Sequence, residues 1–354
     1  MPAYGTLHNI LQRAVHAPSG DNTQPWEFVI TDRDVTLYNV PKRDGTLYNF
    51  KERGSYVGHG AVVENIRLLA AQAGYAVAIE PFPPAPHATA RLTFSPAMPT
   101  VEPLCEAIQH RSTNRKSYRA EPLNDAHRHA LLDSVHATPS VTVRLVEDSD
   151  AVETLARTFS MNEQLLMEYR PLHAFLFGVI RWTRAQERRT PGMYVKTMEF
   201  PAPVRVLLQY VLRHWMVVRF LNRFGLSQSI ATQSARVYAA SSAIGILTIP
   251  ADTDDQFLEA GRALQRLWLT ATSVGVSMQP VTALPYLAQR VRAHDAGDLS
   301  SQQQELILAC DEQIRTLGTV HPSEHIAMIV RMGYGAAPSA HAFKLPPTIR
   351  DATH

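Results

Sequence analysis

At 354 residues with 45% hydrophobic content, the chain can fill one large core or two moderate ones, which excludes a disordered polypeptide. Thirty-four Lys and Arg against thirty-two Asp and Glu leave a formal charge of +2, so no broad field steers nucleic acid or an anionic membrane, and any anion site has to be local. Only Cys105 and Cys310 occur, far apart and outside a CxxC spacing, which argues against a disulfide framework, a thiolate zinc site or an iron-sulfur cluster and for a reducing cytoplasm.

The N-terminus has no basic head followed by an apolar run, so a signal peptide is not expected. In residues 7–16, Leu7, Ile10, Leu11, Ala14 and Val15 form one helical stripe that Pro18 stops. After a polar loop, 26–31 and 35–40 read as strands rich in aromatic and β-branched residues. Helical spacing returns over 60–73, with Gly74 as a natural stop, and further strands are expected at 75–82 and 89–95. Prolines then crowd the chain up to Pro103, marking a linker.

Internal similarity is the next signal. GAVVENIRLLAAQAGY, from Gly60, aligns without a gap to GRALQRLWLTATSVGV, from Gly261, with the same offset of 201 residues at the closing glycines 74 and 275. LQRAVHAPS, ending at Ser19, matches LDSVHATPS, ending at Ser140, apart from one inserted Thr138. Two related halves, 1–104 and 105–354, are therefore expected, the second enlarged by an insertion over about 155–228 that prolines divide into helical pieces. Within it, 204–221 is the nearest approach to a membrane span, but Arg205, Gln209, Arg213, His214 and Arg219 interrupt it. No transmembrane segment is expected. The piece 204–224 reads as a packed helix with solvated arginines, the alternatives being a membrane-surface role or a site for a protein partner.

The segment Ala17-Pro-Ser-Gly-Asp-Asn-Thr-Gln-Pro-Trp-Glu-Phe28 runs from a proline-stopped helix through a polar loop into a strand. Its backbone N–H groups and the Ser19 and Asn22 side chains can face one point, as gripping an anion or a polar heterocycle requires. Here the sequence resembles the nitroreductase family, whose members carry an APSxxNxQPW-like loop after a helix. The segment His110-Arg-Ser-Thr-Asn-Arg115 resembles the family's basic segment, where the phosphate and ribityl chain of FMN are held. Arginine suits a phosphate because its planar fork donates parallel hydrogen bonds and stays charged.

The resemblance implies an α+β fold of two related mixed-sheet halves packed as an internal pseudo-dimer, with one FMN at their junction. It implies Pro18, Ser19 and Asn22 from the loop and Arg111, Ser112, Asn114 and Arg115 from the basic segment as cofactor contacts. Gln233 and Arg236, which precede a core strand, would approach the ring and ribityl chain, and Pro280, Val281 and Thr282 would present a backbone N–H toward flavin N5. Lys344 would be a further phosphate partner, although the ending departs from the family's paired arginines. No side chain is expected as a catalytic nucleophile.

The halves have complementary losses. The first keeps the loop but has no arginine pair before its helix; the second keeps HRSTNR but has TPSVTV where the loop would be. One complete site is expected. The leading expectation is an FMN-dependent oxidoreductase, with NAD(P)H as a donor and a small organic acceptor, in the cytoplasm; the alternatives are a flavin-sequestering protein and a relative without cofactor. His321 and His325 are four apart, but Pro322 prevents a regular helix through them, and no metal site is expected. No GxGxxG after a strand, P-loop or GxSxG occurs, so no separate dinucleotide or hydrolase site is expected.

Overall fold

The computed structural model describes residues 2–32 and 34–351. In chain order the first part comprises α1 (Tyr4–Ala14), β1 (Trp26–Ile30), β2 (Asp34–Asn39), α2 (Arg53–Gln72), β3 (Tyr75–Pro81), β4 (Ala88–Pro96) and α3 (Leu104–His110). The strands lie where their β-branched and aromatic runs place them. α2 starts at Arg53 rather than at residue 60, because its first turns are small and polar and show no apolar stripe. They are nevertheless buried, since each polar group has a partner: His59 sits between the Thr89 hydroxyl (2.8 Å) and the Pro25 carbonyl (2.9 Å).

The chain continues through α4 (Asp125–Asp133), β5 (Thr142–Val146), α5 (Ser149–Glu168), α6 (Arg170–Val179), β6 (Ile180–Arg181), α7 (Arg184–Arg189), β7 (Met193–Tyr194), α8 (Ala202–Leu207) and α9 (Trp215–Leu221). It ends with α10 (Leu226–Ala239), β8 (Ala243–Ile249), α11 (Asp254–Ser273), β9 (Ser277–Pro280), α12 (Ala283–Arg292), α13 (Ser301–Leu317), β10 (His325–Gly333) and β11 (Ile349–Asp351).

Two main sheets result. The first has the order β11-β1-β2-β4-β3 and is mixed, because β11 runs parallel to β1 while the other pairs are antiparallel. Its inner face packs Phe28, Leu37 and Leu92 against α1, α2 and α3. The second has the order β5-β8-β10-β9 and is antiparallel throughout. Every residue of β8 is buried, because the sheet is covered on both sides. Ala243 and Leu247 face α11, while Ile244 and Ile246 face α5, α12 and α13.

The two repeated helices, α2 and α11, pack against each other between the sheets. Their glycines set the crossing: a Cβ on Gly60 would stand 1.9 Å from the Leu258 carbonyl oxygen, and one on Gly261 would stand 2.0 Å from that of Val57. Val57 and Leu258 differ by the same offset as Gly60 and Gly261, so each contact is answered by its equivalent, as at a two-fold interface. Beside the crossing, fully buried Glu64 meets Arg67 (2.7 Å), Arg262 (3.1 Å) and Arg266 (3.0 Å). Burial alone would raise its carboxyl, but these three guanidinium groups hold it below the usual glutamate range.

Residues 155–228 form the expected helical pieces, with a small core of Met167, Leu208, Leu212 and Val218. Among the described residues no helix is long and apolar enough to cross a membrane. The side of 204–224 that faces outward is not simply basic: Val206, Tyr210, Met216, Phe220 and Phe224 are exposed on it.

Candidate functional site

α1 ends at Ala14, and residues 17–25 then form a tight loop against α2, with the Pro18 carbonyl 3.3 Å from where a Cβ on Gly58 would lie. Asp21 (φ 45°), Asn22 (φ 60°) and Gln24 (φ 49°) all occupy the left-handed region, three strained positions among four residues. Surrounding hydrogen bonds over-determine them. Ser19 Oγ accepts from the Gln24 N–H (3.1 Å), and Gln24 Oε1 accepts from the Leu345 N–H (2.9 Å). Asn22 uses its whole amide: Nδ2 donates to the carbonyls of Gly192 (3.0 Å) and Phe343 (3.1 Å), and Oδ1 accepts from Lys344 Nζ (2.7 Å).

The basic segment meets this loop. Arg111, at the end of α3, is buried, donates to the His16 carbonyl (3.1 Å) and lies 4.4 Å over the Trp268 ring of α11. Its Nε has no partner among the described residues. Burial lowers its pKa to about 10. Lys344 is driven well below the ordinary lysine range by burial and then by Arg111. His16 is lowered by burial, then by Lys344, Arg111 and Arg13. Among the described residues no carboxylate forms an ion pair with Arg111 or Lys344; Glu187 attracts Lys344 from a distance but is paired to Arg184 at 2.6 Å. Basic groups thus converge in a poorly solvated place where, among the described residues, no carboxylate pairs with Arg111 or Lys344 and their charged forms are penalised, the electrostatics that a bound anion would relieve.

The other anticipated residues divide. Arg115 donates to the Thr197 carbonyl (3.1 Å); burial lowers its pKa, and Asp21 opposes that. Ser112 is half-buried between the two arginines in sequence. Asn114 is a structural clamp: Nδ2 donates to Ser277 Oγ (2.9 Å) and the Ala336 carbonyl (2.9 Å), and Oδ1 accepts from the Lys116 N–H (3.1 Å). Gln233 and Arg236 are exposed on α10. At the 280–282 segment, Pro280 has no N–H, that of Val281 donates to the Ile329 carbonyl (2.8 Å), and Thr282 Oγ1 is bound to the backbone of Ile329. Val281 therefore has no N–H to spare for a ligand.

Sequence reasoning missed a second layer of polar groups. Asp44 lies under the loop, its Oδ2 3.3 Å from where a Cβ on Gly20 would stand, and its Oδ1 has no partner among the described residues. Burial pushes its carboxyl up to about 7, and the Asp21 and Glu52 charges add to this. Glu163 is likewise raised to about 7 by burial; Tyr238 donates to its Oε1 (2.7 Å), and Oε2 has no partner among the described residues. Fully buried Arg331 binds Gln279 Oε1 (2.8 Å) and the Lys116 carbonyl (2.7 Å) and lies 4.0 Å over the Tyr118 ring. A charged residue amid the apolar IAMIVRMG run was a legible signal for Arg331. Asp44 and Glu163 had none, because distant chain segments desolvate them. Among the described residues no group of three or more His, Cys, Asp or Glu side chains could hold a metal.

No protein-family model matches the chain. An uncharacterized protein of Mycobacterium tuberculosis is 24% identical over 338 residues, 94% of this chain and 46% of that protein. From the same organism, a protein named as an NAD(P)H nitroreductase, acg, is 31% identical over 186 residues, 51% of this chain and 55% of its own length. Another protein so named, Rv3131, is 24% identical over 290 residues, 79% of this chain and 77% of its own length. The chain spans about half the length of the first two relatives. Among solved structures, a nitroreductase with bound FMN from Bacteroides fragilis aligns at TM-score 0.38 and 13% identity over 69% of this chain and 94% of its own. The nitroreductase NfnB from Mycobacterium smegmatis, in complex with NADPH, aligns at 0.37 and 17% over 66% and 88%. Two of these curated relatives are named as NAD(P)H nitroreductases, and in this chain the polar loop and the basic segment that resemble that family meet in space.

Proposed function

We propose that the chain is an FMN-dependent oxidoreductase that takes electrons from NAD(P)H and passes them to a small organic acceptor. The observation that carries the reading is the convergence of Arg111, Lys344 and His16 with no carboxylate paired to Arg111 or Lys344 among the described residues, and with Arg111 Nε left there as a buried donor without a partner. A phosphate fits this donor set in charge and hydrogen-bonding capacity. When bound, FMN supplies the N5 hydride chemistry itself, so this chain's residues bind and orient rather than attack. Arg111 and Lys344 would hold the phosphate, with Ser112 beside them; Pro18 and Ser19 would shape the loop, and Asn22 would fix Lys344. In this reading Gln233 and Arg236, both exposed on α10, would approach the ring and ribityl chain. The two-fold contacts of α2 and α11 support reading the chain as two fused halves sharing one such site.

The test is whether purified protein carries flavin and whether NAD(P)H bleaches it. Protein that takes up no flavin under any reconstitution would refute the proposal. A specific observation favours a second reading, flavin sequestration: the insertion closes on the site, with the Gly192 carbonyl on Asn22 and the Thr197 carbonyl on Arg115. Flavin that resists NAD(P)H and other physiological donors but yields to dithionite would select that reading.

A further inference from the structure

Eight of the eleven large hydrophobic side chains exposed among the described residues fall between Phe200 and Phe224, outside every residue assigned to the flavin. The segment after Pro201 is apolar on two sides. Leu208 and Leu212 face inward to the small core of the insertion, while Val206, Leu207 and Tyr210 face outward. In and after α9, Val218 is the inward residue, and Met216, Phe220 and Phe224 recur every four positions as an outward stripe, the last two rings 5.4 Å apart. A helix with apolar residues on opposite sides needs an apolar medium on both.

Charge identifies the medium. Arg213, Arg219 and Arg223 are exposed beside the stripe, and Arg205 donates to the Phe200 carbonyl (2.8 Å). No Asp or Glu occurs between Glu199 and Asp252. A second copy docked face to face would set arginine against arginine with no acid to relieve it, which disfavours a symmetric dimer. An anionic bilayer surface satisfies both features, because acyl chains accept the apolar stripe while lipid phosphates meet the arginines. The helices are too short to span, so they would lie in the interface.

We propose that the outward face of residues 202–224, α8 through α9 and the turn after it, docks the protein on an anionic membrane surface, with Phe220, Phe224, Met216 and Tyr210 entering the headgroup and acyl boundary and Arg213, Arg219 and Arg223 meeting phosphates. The test is co-sedimentation of the full chain with phosphatidylcholine vesicles containing phosphatidylglycerol, against phosphatidylcholine alone. The expected result is binding to the anionic vesicles only. Either F220S/F224S or R219E/R223E should weaken it about tenfold or more while leaving the circular dichroism spectrum unchanged. Protein that stays in the supernatant with both vesicle types overturns the proposal, as does binding that both double variants retain. A dimer that F220S/F224S dissociates, without vesicle binding by the parent chain, would assign the face to a second copy instead and equally overturn it.

Discussion

Asn22 and Arg111 show how single residues define the site. Both side chains are buried, but the Asn22 amide is fully committed to protein partners, whereas Arg111 keeps one donor unused. Arg111→Ala should therefore weaken FMN by about 30-fold or more while leaving riboflavin binding nearly unchanged, since the lost contact is to phosphate and a buried charge-assisted contact is worth about 2–5 kcal/mol. Equal loss for both ligands in a fluorescence titration would make Arg111 structural. Asp44 and His59 give opposite pH responses. The Asp44 carboxyl rises to about 7, so in the unfolded chain it ionises first, and its contribution to stability, complete below about pH 4, is lost as pH rises toward 7. His59 is lowered to about 4, so its contribution is present above about pH 6.5 and lost as pH falls toward 4. Asp44→Asn should gain stability relative to the parent chain by up to about 1.4 kcal/mol per pH unit between about pH 4 and 7. Parallel urea midpoints for the two proteins across that range would contradict the assignment.

At the scale of elements, the α2–α11 crossing depends on two missing side chains. Gly60→Ala or Gly261→Ala would drive a methyl group into a backbone carbonyl that cannot rotate away, so the helices must separate. Each substitution should cost about 3 kcal/mol or more, at the upper end of overpacking effects. Thermal or urea unfolding within about 1 kcal/mol of the parent would show that the crossing tolerates a larger separation than its contacts imply. The sequence exposed this pair through its gap-free internal match, but not the contact between the two glycines, because a repeat reports likeness rather than proximity. It also understated α2, whose polar first turns are buried because Thr89 of β4 and Pro25 of the loop bind His59, Asn49 binds Ser55, and Gln289 of α12 binds Arg53.

For the whole molecule, the chain's ends bear on the site. β11 returns from the second sheet to pair with β1, and the segment leading to it carries Phe343, Lys344 and Leu345 onto the 17–25 loop. The complementary losses predict about one flavin per chain on reconstitution. At the mirror position Thr138 is fully buried and its hydroxyl donates to the Val135 carbonyl (2.8 Å), which closes the loop on itself. A measured flavin-to-protein ratio near two would refute the idea of a single surviving site.

By itself the sequence determined the order of helices and strands over about the first hundred residues, the internal match between 60–75 and 261–276, the polar loop and the arginine segment, because periodicity, turn chemistry and residue type are local properties. Tertiary structure alone decided which of those residues face one another. It brought Lys344 to Asn22 across 322 positions, allotted the Val281 N–H to Ile329 and committed Asn114 to the fold. It also raised Asp44 and Glu163 toward neutrality and left the Phe220 and Phe224 rings outside. The physical reason is common to all of these: desolvation and hydrogen-bond satisfaction depend on what packs around a group, and that comes from distant parts of the chain.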